Sequence, residues 1–400
     1  MGDPNDGVGK RISTARKMAG MTQRQLAAKA NVSYSAVSKA ESGERAATAP
    51  LIAACAKALR VSITDLTGQP YTPTTKADRE LHAAISLLRS ELVAYDLDDP
   101  DLKVRPLPQI TEDVLAVRRM RRDVAAHKLA AALPHLLTET RALAHRKHGQ
   151  VEGDRAFVLL AELYYSARSM AHKLGYLDLS AMAIDRMSWA AEKSGDPLWI
   201  AASQFHRASL LTSGGDYRNA LAFLERSRAE VEARLGTGEE SDLIAWGGLH
   251  LQSGLAAARA GDQGAADAHL AEATDTAARL GHDRDPVLTF GPVNVAIWGV
   301  SLGVEAMDSA KALDRAASLV LPPGTPRSRS GHHYIDVGRA WLLQGGHHRD
   351  VMKALLTAKS IAPSMVRYHP MVHETVLQLA REEARATESV RGFATWCGLT

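Results

Sequence analysis

Along almost the whole chain apolar side chains return every three or four residues, and runs alternating Val, Ile, Thr and aromatics with period two are nearly absent. That spacing lines one face of an α-helix, whereas a half-buried strand needs the shorter period, so the sequence is confined to all-α folds. Ala, Leu, Arg and Glu carry most of the pattern, and each loses little rotamer freedom in a helix. Four hundred residues exceed what one hydrophobic core organises, and a 46% apolar content is ordinary for a folded chain, so more than one domain is expected.

Charge is distributed unevenly. The chain carries a formal +3, yet residues 1–70 hold ten Lys and Arg against five Asp and Glu. A small basic head on a near-neutral body suits contact with a polyanion. The two cysteines, Cys55 and Cys397, stand at opposite ends and form neither a disulfide framework nor a metal cluster. No apolar run has the length of a signal peptide or a membrane span, so a cytoplasmic, membrane-free protein is expected.

Three short helices open the chain. Residues 1–9 are polar and expected to fray, and Ile12, Ala15 and Ala19 mark a first helix ending near Gly20. Thr22 offers an N-cap to a second, 23–30, with Leu26, Ala27 and Ala30 inward. Asn31 tolerates the left-handed turn that follows. Ser33 caps a third helix to about Ser42, with Val37 and Ala40 inward and Gly43 as its stop. Two short helices joined by three residues make a helix-turn-helix, and the spacing of Ala27, Asn31 and Val37 supplies a small residue at the crossing, a turn former and a β-branched core residue.

Residues 10–68 resemble the phage-repressor-like (Cro/repressor, XRE) family. The resemblance lies in Thr22-Gln23-Arg24-Gln25-Leu26-Ala27, in Val32-Ser33-Tyr34-Ser35-Ala36-Val37-Ser38-Lys39, and in two closing helices around Leu51-Ile52-Ala53 and Ile63-Thr64-Asp65-Leu66. Ala40 is smaller than the family's usual residue, and Ala46-Ala47-Thr48 replaces its proline-containing turn. The resemblance implies a five-helix DNA-binding domain whose third helix enters the major groove. It assigns base-edge or flanking contacts to Ser33, Tyr34, Ser35, Ser38 and Lys39. Gln23 at the start of the second helix is assigned a phosphate, with Lys10, Arg11, Arg24 and Arg45 supplying further phosphate charge.

Breakers and small polar residues at 68–75 mark a hinge, leading to a connecting helix and a second proline-interrupted break at 96–108. The expected division is therefore a DNA-binding domain at 1–68, a hinge and connecting helix at 69–110, and a repeat domain at 111–400. Within the last, glycine-containing turns fall at Gly175, Gly215, Gly261, Gly303 and Gly346, roughly 40–46 residues apart, the signature of a helical-hairpin solenoid. Residues 156–361 resemble degenerate tetratricopeptide (TPR-like) repeats. The combination is similar to actinobacterial regulators and, more distantly, to peptide-sensing quorum-sensing regulators, which implies a homodimer whose concave face takes a signalling peptide or small molecule.

Polar residues interrupt the inner helices at Gln204, His206, Arg207, Gln252, Asn294, Tyr334, Asp336 and Arg339, and of these Gln204, Arg207, Gln252, Asn294, Tyr334 and Arg339 are the candidate ligand contacts. Asn294 either grips a peptide backbone, donating and accepting at once, or bonds a neighbouring helix. His332-His333, His347-His348 and His369 with His373 are expected at the surface, since no ligating carboxylate or cysteine accompanies them. Arg118, Arg119, Arg121 and Arg122 read as a solvated face, and the six tryptophans as core. No nucleophile, base and oxyanion set can be assembled, so neither an enzyme nor a cofactor is expected. Two functions remain: a sequence-specific transcriptional regulator, by family habit a repressor, and a protein-interaction scaffold or antitoxin-like adaptor with a vestigial DNA-binding head.

Overall fold

A computed structural model describes residues 7–71, 75–284, 287–382 and 388–399, with no side-chain account of residues 77 and 388. Part of the expected hinge, 72–74, and most of the expected frayed start, 1–6, lie outside the described residues. All regular structure among the described residues is helical, apart from one isolated bridge between Arg284 and Phe290. No described helix is long and apolar enough to cross a membrane.

The head comprises α1 (Val8–Met18), α2 (Gln23–Ala30), α3 (Tyr34–Ser42), α4 (Ala49–Leu59) and α5 (Ile63–Thr67). Helix α1 starts at Val8, within the stretch expected to fray, because Glu374 far along the chain accepts from the Val8 N–H at 2.9 Å. The head has its own core, with Ile12, Leu26, Val37, Ile52 and Leu66 almost wholly buried. A Cβ at Gly9 would stand 1.8 Å from the Ala40 carbonyl oxygen. So close an approach of α1 to α3 accounts for the small residue at position 40.

The body begins with α6 (Lys76–Val93), α7 (Leu107–Arg122) and α8 (Ala126–Arg146). Five antiparallel hairpins follow: α9 (Val151–Leu174) with α10 (Leu177–Ser194), α11 (Pro197–Ser213) with α12 (Tyr217–Glu232), α13 (Glu240–Ala260) with α14 (Gln263–Leu280), α15 (Pro292–Glu305) with α16 (Ser309–Ser318), and α17 (Arg327–Gln344) with α18 (His348–Ile361). The chain closes with α19 (Pro363–Arg367), α20 (Pro370–Glu382) and α21 (Glu388–Cys397). From α11 onward the first helix of each hairpin packs on the first helix of the next, giving the solenoid an inner layer.

Glycine makes the hairpin turns at Gly175, Gly215, Gly261 and Gly346, all with positive φ. Gly303 is different and corrects one expectation. It lies inside α15, where a Cβ would come within 3.0 Å of Ala312, so it permits close packing of α15 on α16. The turn itself falls at Met307, which takes φ 61° without being glycine.

The surface assignment of several polar residues also fails. His333 and His373 are 4% and 5% exposed, held between the last helices. The His332 and His369 rings meet edge to face with centroids 5.8 Å apart, lining the inside of the ring of helices. Arg121 is 8% exposed and shares Glu162 with Arg118, at 3.1 and 2.7 Å, so the basic turn on α7 is partly interior. The missing signal was Glu162, whose place on α9 lay outside any local pattern.

Candidate nucleic-acid interface

Caps set the ends of the two motif helices. Thr22 accepts from the Gln25 N–H at 3.2 Å while the Gln25 side chain accepts from the Thr22 N–H at 2.8 Å, a reciprocal box that satisfies two donors at the start of α2. Asn31 ends α2 at φ 54°, Ser33 accepts from the Ala36 N–H at 3.1 Å to start α3, and Gly43 ends it at φ 76°. Thr48 caps α4 and Pro50 falls in its first turn, so the proline absent from the preceding loop is displaced rather than lost.

The outer side of α3 is turned to solvent. Ser33, Tyr34, Ser35, Lys39 and Arg45 are exposed and Ser38 is half-buried. Lys39 pairs with Glu44 at 2.9 Å on an exposed edge, and the Arg24 guanidinium lies 5.6 Å from the Tyr34 ring centroid. Ser33 uses a lone pair for its cap and keeps its O–H to donate. The structure thus brings Arg24, Ser33, Tyr34, Ser35, Ser38, Lys39 and Arg45 together on one surface with Gln23 half-buried beside them, whereas Lys10 is exposed on α1 and the half-buried Arg11 has its guanidinium against Gly68 at the end of α5.

Gln23 has another partner: its Nε2 donates to Glu41 Oε2 at 2.8 Å. Glu41 also receives Arg16, whose Nε and Nη2 donate to the two carboxylate oxygens at 2.6 and 2.8 Å, while Arg16 Nη1 donates to the Met21 carbonyl at 2.7 Å. Burial pushes the Glu41 carboxyl up, but Arg16 and Gln23 outweigh it and hold it below the usual range. This buried lock joins α1, α2 and α3 and sets the angle at which the recognition helix is presented. It carried no local sequence signal, because its members stand 25 residues apart.

One helix of the body seats the head. On α20, Glu374 accepts from the Val8 N–H, Gln378 Oε1 accepts from the Ala46 N–H at 2.6 Å, and Met371 packs against the head's core. The unusual Ala46-Ala47-Thr48 loop is therefore a docking surface. A cleft of about 930 Å³ separates the flank of α3, at Ser33, Ser35 and Lys39, from body turns at Gly215, Tyr217 and Met307.

The candidate ligand residues do not converge. Gln204 is bonded to Glu230 at 2.8 Å, and exposed Arg207 lies over Phe223. Asn294 donates to the Thr289 carbonyl at 2.5 Å and accepts from Arg329 at 2.7 Å. Arg339 is tied to Glu305 and Asp336 at 2.8 and 2.9 Å, and Tyr334 packs on the C-terminal core. Gln252 alone of the six faces the central cavity, donating to Thr212 at 3.3 Å.

A family model described as helix-turn-helix matches residues 12–66. No curated protein and no solved structure matches the chain. The matched segment spans α1 to α5, so the head is a helix-turn-helix domain of XRE type followed by an all-α solenoid. The match supports a DNA-binding regulator.

Proposed function

We propose that the chain is a sequence-specific transcriptional regulator that binds an operator as a homodimer, and that its TPR-like repeat domain holds the head and answers a ligand. The observation that carries the reading is the outward face of α3, where hydroxyl donors, an ammonium and a guanidinium stand together and none is hydrogen-bonded to the body among the described residues. Serine and lysine donors suit the acceptor edges of the major groove, and Tyr34 offers a flat face to thymine methyls. The positive end of α2 and Arg24 suit the flanking phosphates. Repression is the sense of regulation that the habit of the resembling family favours.

Selection of bound sequences from genomic fragments at two salt concentrations tests the reading. A recurrent site with two half-sites about one or more DNA turns apart is expected, with affinity falling steeply as salt rises. Weak, sequence-independent binding would sink the proposal.

A further inference from the structure

The solenoid does not end in an open concave face. Its last helices return to its first: the Tyr368 hydroxyl donates to Asp78 at 2.5 Å, and Ser364 donates to the Val124 carbonyl at 2.8 Å. The inner helices α9, α11, α13, α15 and α17 therefore surround a cavity of about 430 Å³, and the head covers part of it with Ala49, Ile52, Ile63, Thr67 and Gln69. That volume is the size of a small-molecule site.

The polar part of its lining has one sign. Arg121, Arg122, Arg168, Lys173, Arg259 and Arg329 line the cavity, and no Asp or Glu does among the described residues. Behind the wall Glu162 takes up Arg121 and Glu305 takes up Arg259. Among the described residues Arg168 and Lys173 have no such carboxylate, and Arg168 makes one hydrogen bond, to Ser209 at 3.3 Å, with its Nε buried and without an acceptor. Lys173 sits among the like charges of Arg121 and Arg168, and burial with these neighbours depresses its ammonium to about 7.

Imidazoles surround the pair. His206 is 4% exposed, faces the cavity, and has no partner at either ring nitrogen among the described residues. The Nδ1 atoms of His172 and His369 are likewise buried and unpartnered. Folded proteins leave few buried polar atoms unsatisfied, and a group of them around one cavity indicates a partner that the chain itself does not supply. The same lining has an apolar and aromatic part that includes Phe205, Leu251, Trp298 and Met365. The Arg121 guanidinium lies 4.0 Å from the Tyr165 ring centroid, so the cationic and aromatic sides meet there.

We propose that this cavity binds a small organic anion, a carboxylate or phosphate ester carried on a planar ring, with Arg168 and Lys173 receiving the anionic group and the aromatic wall receiving the ring. Because Ile52 and Ile63 belong to the head, a bound anion touches both domains and stabilises the seated arrangement. The proposal rests on the reading of the chain as a ligand-responsive regulator and names its ligand class.

The test is titration calorimetry and thermal unfolding of the full chain with salicylate, phenyl phosphate and neutral salicylamide. At least one anion is expected to bind tenfold or more tightly than salicylamide, and the stronger of the two identifies the anionic group. Lys173→Met and Arg168→Gln should each weaken it at least tenfold. Ligand-free Lys173→Met should also melt above the unsubstituted protein, because it removes a half-buried ammonium that stands among like charges, an outcome that a purely structural lysine would not give. Equal binding of salicylamide, full binding by both variants, or a lower melting point for Lys173→Met would overturn the proposal. Operator binding, measured separately, keeps the two readings apart. Anion binding by a chain that ignores DNA defeats only the regulator, and operator binding without anion binding defeats only the cavity.

Discussion

Arg16 shows how much of the head's geometry rests on single side chains. It is 8% exposed, and its guanidinium is satisfied by Glu41 and the Met21 carbonyl. Removing one partner of such a pair strands a buried charge, whereas replacing both with apolar residues costs far less. Glu41→Ala is therefore expected to destabilise the protein by about 3–5 kcal/mol, and Arg16→Met with Glu41→Leu by much less, as read by denaturant unfolding. Similar losses in the single and double variants would show that the pair does not lock the head. On the outer face the expectation is electrostatic. Lys39 and Glu44 are both exposed, so their pairing adds little stability. Lys39→Ala should leave folding intact and weaken operator binding or relax base choice at one position. Unchanged affinity and specificity would remove Lys39 from the interface.

Helix α20 belongs to the body by sequence and to the head by function. Glu374 is 4% exposed, and burial raises its carboxyl above the usual range even though the Val8 N–H donates to it. Glu374→Ala would leave the Val8 donor without its acceptor, a loss of about 1–3 kcal/mol. If the seated head is the weakly binding state, freeing it raises operator affinity, and the expected result is tighter binding by Glu374→Ala in a fluorescence titration. Weaker binding would mean that the seat presents α3 instead of restraining it. At this scale local chemistry was largely legible. Thr22, Asn31, Ser33 and Gly43 act on donors and acceptors within a few residues, and each lies where its cap was expected. Gly303 was misread because one residue type serves two purposes, a left-handed turn and a close helix crossing, and spacing alone does not separate them.

The whole molecule is closed by Asp78. Its carboxylate receives the Tyr368 hydroxyl and stands 3.0 Å from the Arg367 guanidinium, joining α6 to the C-terminal helices. Burial pushes this carboxyl up, but the hydrogen bonds from Tyr368 and Thr75, with Arg367 beside them, hold it at about 2. A depressed carboxylate adds stability that is complete above its unfolded value, near 3.8, and is lost as pH falls towards 2. That linkage amounts to about 2 kcal/mol. Between pH 5 and 2.5 the unsubstituted protein should therefore lose more stability than Asp78→Asn, which lacks the contribution throughout. Parallel urea-unfolding curves for the two would show that the closure does not depend on this carboxylate.

The sequence by itself determined the all-α class, the helix-turn-helix and most of its caps, since those depend on periodicity and hydrogen bonds spanning a few residues. Only the tertiary structure decided that α20 seats the head and that cationic side chains from α7, α9, α13 and α17 face one cavity. Val8 and Glu374 are 366 positions apart, and Asp78 and Tyr368 are 290 apart. Contacts at such separations follow from how far the stacked hairpins curve before they meet, a sum of small rotations at every helix crossing that no local spacing encodes.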